Sequence, residues 1–158
     1  MVTLKGVFGH ILLLCSLVKL IKSFTRLFFH LKLNKMATKL KPAQTEKEWW
    51  SLINSRNKSF IRSMADWKKA LANPKTNPLK GCSPKVIAHF TKNLKFSRGG
   101  FGHADYSQVA KVLTYTQFRD LFHRFGVGGG LFADHEESKC DGQHNCVWAH
   151  MSICMSSC

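Results

Sequence analysis

Residues 45–74 read TEKEWWSLINSRNKSFIRSMADWKKALANP and contain the strongest helix signal of the chain. Thr45 to Glu48 has the form of a capping box, in which a hydroxyl and a glutamate satisfy free N–H groups at the start of a helix. Side chains that are apolar apart from Asn57 then recur at steps of three and four residues until Asn73-Pro74, where proline ends a helix. The pattern predicts one long amphipathic helix over roughly residues 46–72, with a buried stripe of Trp50, Ile53, Phe60, Met64, Trp67 and Leu71.

Shorter helices are predicted downstream of this segment. Ser83-Pro84 offers an N-cap followed by a proline in the first turn, which predicts a second helix. A third, over residues 106–113, follows Asp105 as its cap. The motif Thr114-x-x-Gln117 repeats the capping-box form and predicts a fourth helix that stops at Gly126.

Strand signals are few, and the glycine clusters at residues 99–102 and 126–130 are interpreted as linkers or helix ends. The sequence therefore predicts an all-α fold: a small helical bundle with one long amphipathic helix, a basic apolar helix at the N-terminus and an irregular cysteine-rich tail. We divide it into an N-terminal segment (residues 1–35), a basic helical domain (36–133) and a Cys/His-rich tail (134–158).

Positive charge is concentrated in the first two of these parts. The chain of 158 residues carries 24 Lys and Arg against 9 Asp and Glu, a formal charge of +15. Residues 1–35 hold six bases and no acid, residues 36–98 hold fourteen bases and three acids, and residues 99–158 hold four bases and six acids. Such a field attracts phosphate backbones, acidic lipids or acidic proteins. On the predicted long helix the anion-binding face consists of Arg56, Lys58, Arg62, Lys68 and Lys69.

Residues 8–33 are apolar except for a narrow polar stripe at helical spacing. The uninterrupted apolar run, residues 11–18, is much shorter than the about 20 residues that a spanning helix needs. A signal peptide, an organellar transit peptide and a helix lying in a membrane interface all remain open, as does an untranslated extension ahead of Met36. In the interfacial interpretation the membrane-contacting residues are Lys19, Lys22 and Arg26.

Four cysteines lie close together in the tail, with the spacing C-x5-C-x7-C-x3-C. The spacing departs from the paired C-x2-C units of zinc modules, so we favour two disulfides, with Cys140 joined to either Cys154 or Cys158. Zinc is the alternative, and His150 would then share a helical face with two of the thiols. The residues of this predicted disulfide or metal site are Cys140, Cys146, Cys154 and Cys158.

No catalytic motif stands out, and we expect a non-enzymatic protein without a cofactor or small-molecule substrate. The first hypothesis is a cationic protein of the secretory pathway or membrane that binds anionic membranes or acidic partner proteins, in defence or stress response. The alternative is a cytoplasmic or nuclear nucleic-acid- or protein-binding adaptor that starts at Met36 and has a zinc-binding or reduced tail. Its support is the set of aromatic residues among the bases, Trp49, Trp50, Phe60 and Trp67.

Overall fold

The structure, a computed structural model, describes residues 41–55, 57–142, 145–156 and 158. Within these residues the helices are α1 (Glu46–Asn54), α2 (Met64–Ala72), α3 (Pro84–Asn93), α4 (Ser107–Ala110), α5 (Tyr115–Arg124) and α6 (Gly129–His135). The strands are β1 (Lys95–Ser97), β2 (Gly100–Asp105), β3 (Glu136–Cys140) and β4 (Cys146–Cys154). The N-terminal segment, with Lys19, Lys22 and Arg26, lies outside the described residues.

The strands form one antiparallel sheet in the order β1-β2-β4-β3. The predicted all-α fold is therefore wrong, and the chain has a mixed α/β architecture. The glycine-rich stretch that we interpreted as a linker is the turn of the β1–β2 hairpin. Arg98 and Gly99 both have positive φ, at 49° and 77°, which is the conformation of the two-residue turns that join twisted antiparallel strands.

The predicted long helix is also wrong, because the chain leaves the helix at Ser55 and re-enters it at Met64. Serine and asparagine side chains in between bond to the local backbone and so compete with helical hydrogen bonds. The Asn57 carboxamide oxygen accepts from the Ser59 N–H at 2.9 Å, and the Ser63 hydroxyl caps α2 by accepting from the Asp66 N–H at 3.2 Å. Residues 55–63 thus connect two separate helices.

Three predicted helix starts and two predicted stops are confirmed. Thr45 caps α1 by accepting from the Glu48 N–H, and α2 ends at Ala72, before Asn73-Pro74. Ser83 caps α3 with proline in its first turn, and Thr114 with Gln117 makes a complete capping box at α5. Gly126, with φ of +88°, follows the end of α5. The predicted helix over residues 106–113 shortens to α4, whose N-cap position is Tyr106 because Asp105 ends β2. The Asp105 carboxylate nevertheless accepts from the Ser107 N–H at 2.9 Å, as its predicted capping role requires.

The core is a set of aromatic rings gathered around Phe125, which is 1% exposed. The ring centroids of Trp67, Phe101 and Phe96 lie 5.5, 5.0 and 6.1 Å from that of Phe125. Phe90 packs against Trp67 at 5.5 Å, and the Trp67 indole N–H donates to the Thr91 hydroxyl at 3.0 Å. Helices α2, α3 and α5 are therefore held to one face of the β1–β2 hairpin by side-chain burial.

Candidate functional site

The lysines of residues 41–98 form an exposed and unpaired set. All ten lysines in this range are exposed, and among the described residues no lysine lies in an ion pair. The three carboxylates of the same range lie in the first turns of α1 and α2, namely Glu46, Glu48 and Asp66. Acidic groups at those positions interact with the positive ends of the helix dipoles, which leaves the lysine charges available to external anions.

The predicted anion-binding residues do not share one helix. Lys68 and Lys69 are exposed on α2, Lys58 is exposed in the connection before it, and Arg56 lies outside the described residues.

Arg62 differs from the rest of this set, because its guanidinium group faces inward. It donates to the Gly99 carbonyl at 2.6 Å and to the Ser55 carbonyl at 2.5 Å, and it also bonds to the carbonyl of Ile53. Ile53 and Ser55 lie at the C-terminal end of α1, where carbonyl groups lack helical partners and carry partial negative charge. Arg62 therefore joins the end of α1 to the β1–β2 turn, and we remove it from the predicted basic face.

A groove of about 270 Å³ brings Lys58 and Lys69 together with Arg124, the last residue of α5. Its apolar lining includes Phe60 and Ile61, and Asp66 is the acidic residue in it. The Ile61 N–H donates to the Arg124 carbonyl at 2.8 Å, which fixes the connection beside α5. Arg124 was missed by the sequence reasoning, because no local pattern shows that the end of α5 meets a segment about sixty residues earlier.

Four histidines contact nearby carboxylate or carbonyl groups. His89 Nε2 lies 3.8 Å from Asp105 Oδ2, and the His135 Nδ1–H donates to the Cys154 carbonyl at 3.0 Å. His103 makes the equivalent bond to the Ile153 carbonyl at 2.9 Å. His150, a predicted metal ligand, instead lies 3.2 Å from the Glu137 carboxylate.

Outside the tail, Cys82 is a free, half-buried thiol whose pKa is raised by burial. A raised pKa keeps the thiol protonated and weakly nucleophilic.

The tail that we expected to be irregular is the β3–β4 hairpin. Cys140 and Cys146 are paired positions in its register. Farther along, Ser138 pairs with Trp148 and Glu136 with Ile153, so four residues of β4 stand opposite Glu137 alone. This large bulge bends β4 so strongly that the Cα atoms of Cys146 and Cys154 lie 6.1 Å apart.

The four cysteines meet beneath this bend. Cys140 is bonded to Cys158, one of the two partners that we favoured for it, and Cys146 is bonded to Cys154. Across the two bridges the sulfur of Cys154 lies 3.2 Å from that of Cys140 and 3.0 Å from that of Cys158. The two disulfides are thus in direct contact.

Comparison of the chain with family models, with curated proteins and with solved structures gave no match.

Proposed function

We propose that this protein is a non-enzymatic binding protein that attaches to anionic membrane surfaces through the exposed lysines of residues 41–98. The observation that supports this most directly is that all ten of these lysines are exposed while the neighbouring carboxylates lie at helix starts. Lysine near an anionic bilayer contributes about 1 kcal/mol of attraction per residue. The centre of the proposed surface is the groove that contains Lys58, Lys69 and Arg124.

Lipid phosphates are favoured over nucleic-acid bases because the aromatic residues of this region are unavailable for stacking. Trp49, Phe60 and Trp67 are all at least 95% buried. Trp50 is half-buried, with the Arg98 guanidinium 6.0 Å from its ring centroid. Proteins that bind single-stranded nucleic acids usually combine basic grooves with accessible aromatic rings. The basic surface therefore suits phosphate groups that are recognised by charge alone.

The sequence adds a second element to the proposal. Lys19, Lys22 and Arg26 are spaced to face anionic headgroups if residues 8–33 form an interfacial helix. No helix within the described residues has the length and apolar run needed to cross a bilayer. A secretory-pathway or membrane-associated location, and a role in defence or stress response, belong to this proposal.

The test is binding of the full chain to vesicles of phosphatidylcholine with and without phosphatidylserine, over a range of salt concentrations. Replacing Lys58, Lys68 and Lys69 by Gln should weaken binding to the serine-lipid vesicles about a hundredfold, at about 1 kcal/mol per lysine. The matched control is Lys111, Arg119 and Lys139 to Gln, which removes the same formal charge from exposed positions outside residues 41–98. The control should lose much less, and binding of the parent should fall steeply with salt.

Several outcomes would contradict the proposal. Equal losses in the two triple variants would mean that net charge acts without a defined surface. Equal binding to neutral vesicles would mean that the lysines are ordinary solvated side chains. Tight binding to duplex DNA or RNA without binding to anionic vesicles would favour the alternative of an intracellular nucleic-acid adaptor.

A further inference from the structure

The four tail sulfurs lie close enough together to contact a single ion. The Sγ atoms of Cys140, Cys154 and Cys158 all lie within 4.8 Å of one another. Cys146 completes the group, with its Sγ 3.7 Å from that of Cys158. In a tetrahedral zinc site with Zn–S distances of about 2.3 Å, neighbouring sulfurs stand about 3.8 Å apart. The contacts between the two bridges, at 3.0, 3.2 and 3.7 Å, are within 1 Å of that spacing.

The backbone that carries these sulfurs is held in place independently of the disulfides. Met155 is fully buried, and its N–H donates to the Gly102 carbonyl of β2 at 2.8 Å. The Cys158 N–H donates to the Met155 carbonyl at 2.9 Å, which places Cys158 in a turn beside Cys154. His135 holds the Cys154 carbonyl from the end of α6. Backbone hydrogen bonds of this kind would keep the thiols near one another after reduction.

We propose that the four cysteines form a tetrathiolate zinc site when the two disulfides are reduced. Two molecules of a dithiol reductant, each oxidised to a disulfide, would supply the four electrons and four protons that convert the two bridges into four thiols. Binding of one Zn²⁺ then releases those four protons and forms four Zn–S bonds. The same four sulfurs would thereby close the tail in an oxidising compartment by covalent bonds and in a reducing one by a metal.

The cysteine spacing departs from that of known zinc modules, but the bend in β4 brings the widely spaced cysteines together. Known zinc modules supply ligands in closely spaced pairs because each pair sits on one tight turn. Here Cys146 and Cys154 are eight residues apart in the chain, yet the bulge opposite Glu137 brings them together. The structural equivalents of the paired ligands are therefore Cys140 with Cys146 across the hairpin, and Cys154 with Cys158 across one turn.

The experiment uses the full chain, reduced with a phosphine under anaerobic conditions and titrated with Zn²⁺. One equivalent should bind, and it should protect four of the six thiols of the chain from a thiol-reactive dye. Co²⁺ in place of Zn²⁺ should give the visible bands and the sulfur-to-metal charge-transfer absorption of a tetrahedral thiolate site. Protein left oxidised should bind neither ion, since disulfide sulfur is not a thiolate ligand.

Two variants locate the site. Cys146 is exposed, so Cys146→Ser leaves the buried core untouched, and it should lower the zinc affinity by more than about 100-fold, the upper range for changes that only orient ligands. Cys82→Ser is the matched control, because it removes a thiol that stands outside the two disulfides, and it should bind zinc as the parent does. Failure of the reduced parent to bind one equivalent, protection of fewer than four thiols, or unchanged affinity in Cys146→Ser would each overturn the proposal.

Discussion

The aromatic core and the β3–β4 hairpin are stabilised in different ways. In the core, Trp67, Phe90, Phe101 and Phe125 are each at least 99% buried and contact one another through their rings. In the hairpin, Trp148 is 74% exposed, and burial becomes continuous only from Ser152 to Met155. Removal of apolar surface from water therefore stabilises the first region, whereas strand pairing and cross-linked sulfurs hold the second. Reducing conditions should therefore affect the two regions unequally.

Truncating a side chain of the aromatic core should lower the folding stability most. Trp67→Ala should lower the free energy of unfolding by about 3–5 kcal/mol, because it leaves a cavity between Phe90 and Phe125 and removes the hydrogen bond to Thr91. Denaturant titration followed by circular dichroism measures this change. Trp148→Ala is the matched control, and its effect should stay within about 0.5 kcal/mol because the side chain is exposed. Similar losses of unfolding free energy in the two variants would contradict the claim that burial stabilises the core and not the hairpin.

Reduction of the disulfides should have the next largest effect, and it should be confined to the hairpin. In the presence of a chelator, so that no metal replaces the bridges, reduction should destabilise residues 136–158 by about 2–4 kcal/mol. Hydrogen exchange should then accelerate in β3 and β4 while α2 and α5 remain protected. The Cys82→Ser variant should respond identically, since Cys82 forms no bridge. Exchange that accelerates equally throughout would mean that hairpin and core unfold as one unit.

Local chemistry in the sequence predicted the parts of the fold that local chemistry decides. The starts of α3 and α5 follow from Ser83-Pro84 and from Thr114 with Gln117, since caps act within a single turn. The stripe over residues 46–72 identified Ile53, Phe60 and Trp67, which are all buried. It failed on the continuity of the helix, because the apolar pattern takes no account of the Asn57 and Ser63 side chains, which bond to the local backbone and interrupt the helix. The bond from Arg62 to the Gly99 carbonyl adds a contact that is distant in sequence.

The strands escaped prediction for related reasons. β1 has only three residues, and β2 begins Gly-Phe-Gly, without the alternation that marks a strand. β4 does alternate, since Val147, Ala149 and Met151 are half-buried while Cys146, Trp148 and His150 are exposed. Its period of two was a usable signal. The prediction used the cysteines as evidence for metal or disulfide chemistry instead, and it assumed that His150, Cys154 and Cys158 share one face of a helix.

The sequence predicted which region carries the basic residues, but it could not predict how those residues are arranged on the surface. Counting bases in residues 36–98 identifies the charged region, but only tertiary contacts show that Arg62 turns inward and that Arg124 lies beside Lys58 and Lys69. The cysteine site was similar, because the residues were evident and their convergence depended on the bulge in β4.

The smallest predicted effect concerns His103, which joins the two regions. Its ring lies on β2 and donates from Nδ1 to the Ile153 carbonyl of β4. Burial lowers the pKa of His103 below its ordinary value of 6.5, with Lys95 and Lys139 adding to the decrease and Asp105 and the hydrogen bond to Ile153 opposing it. The folded state therefore favours the neutral ring.

The sign of the pH dependence follows from this lowered pKa. Near and below pH 6.5 the unfolded chain binds a proton at His103 more readily than the folded chain does. The contribution of His103 to folding stability is therefore fully present above pH 6.5 and decreases as the pH falls below it.

Hydrogen exchange in β4 should thus show a hairpin that opens more easily at pH 5 than at pH 7. His103→Asn, which keeps an N–H donor without a titrating ring, should reduce this pH dependence. His123→Asn is the control, because burial and Arg119 lower the pKa of His123 as well, but this residue lies on α5, outside the sheet. A pH dependence of β4 exchange that survives in His103→Asn, or that disappears in His123→Asn, would assign the effect to groups other than the ring that connects the core to the hairpin.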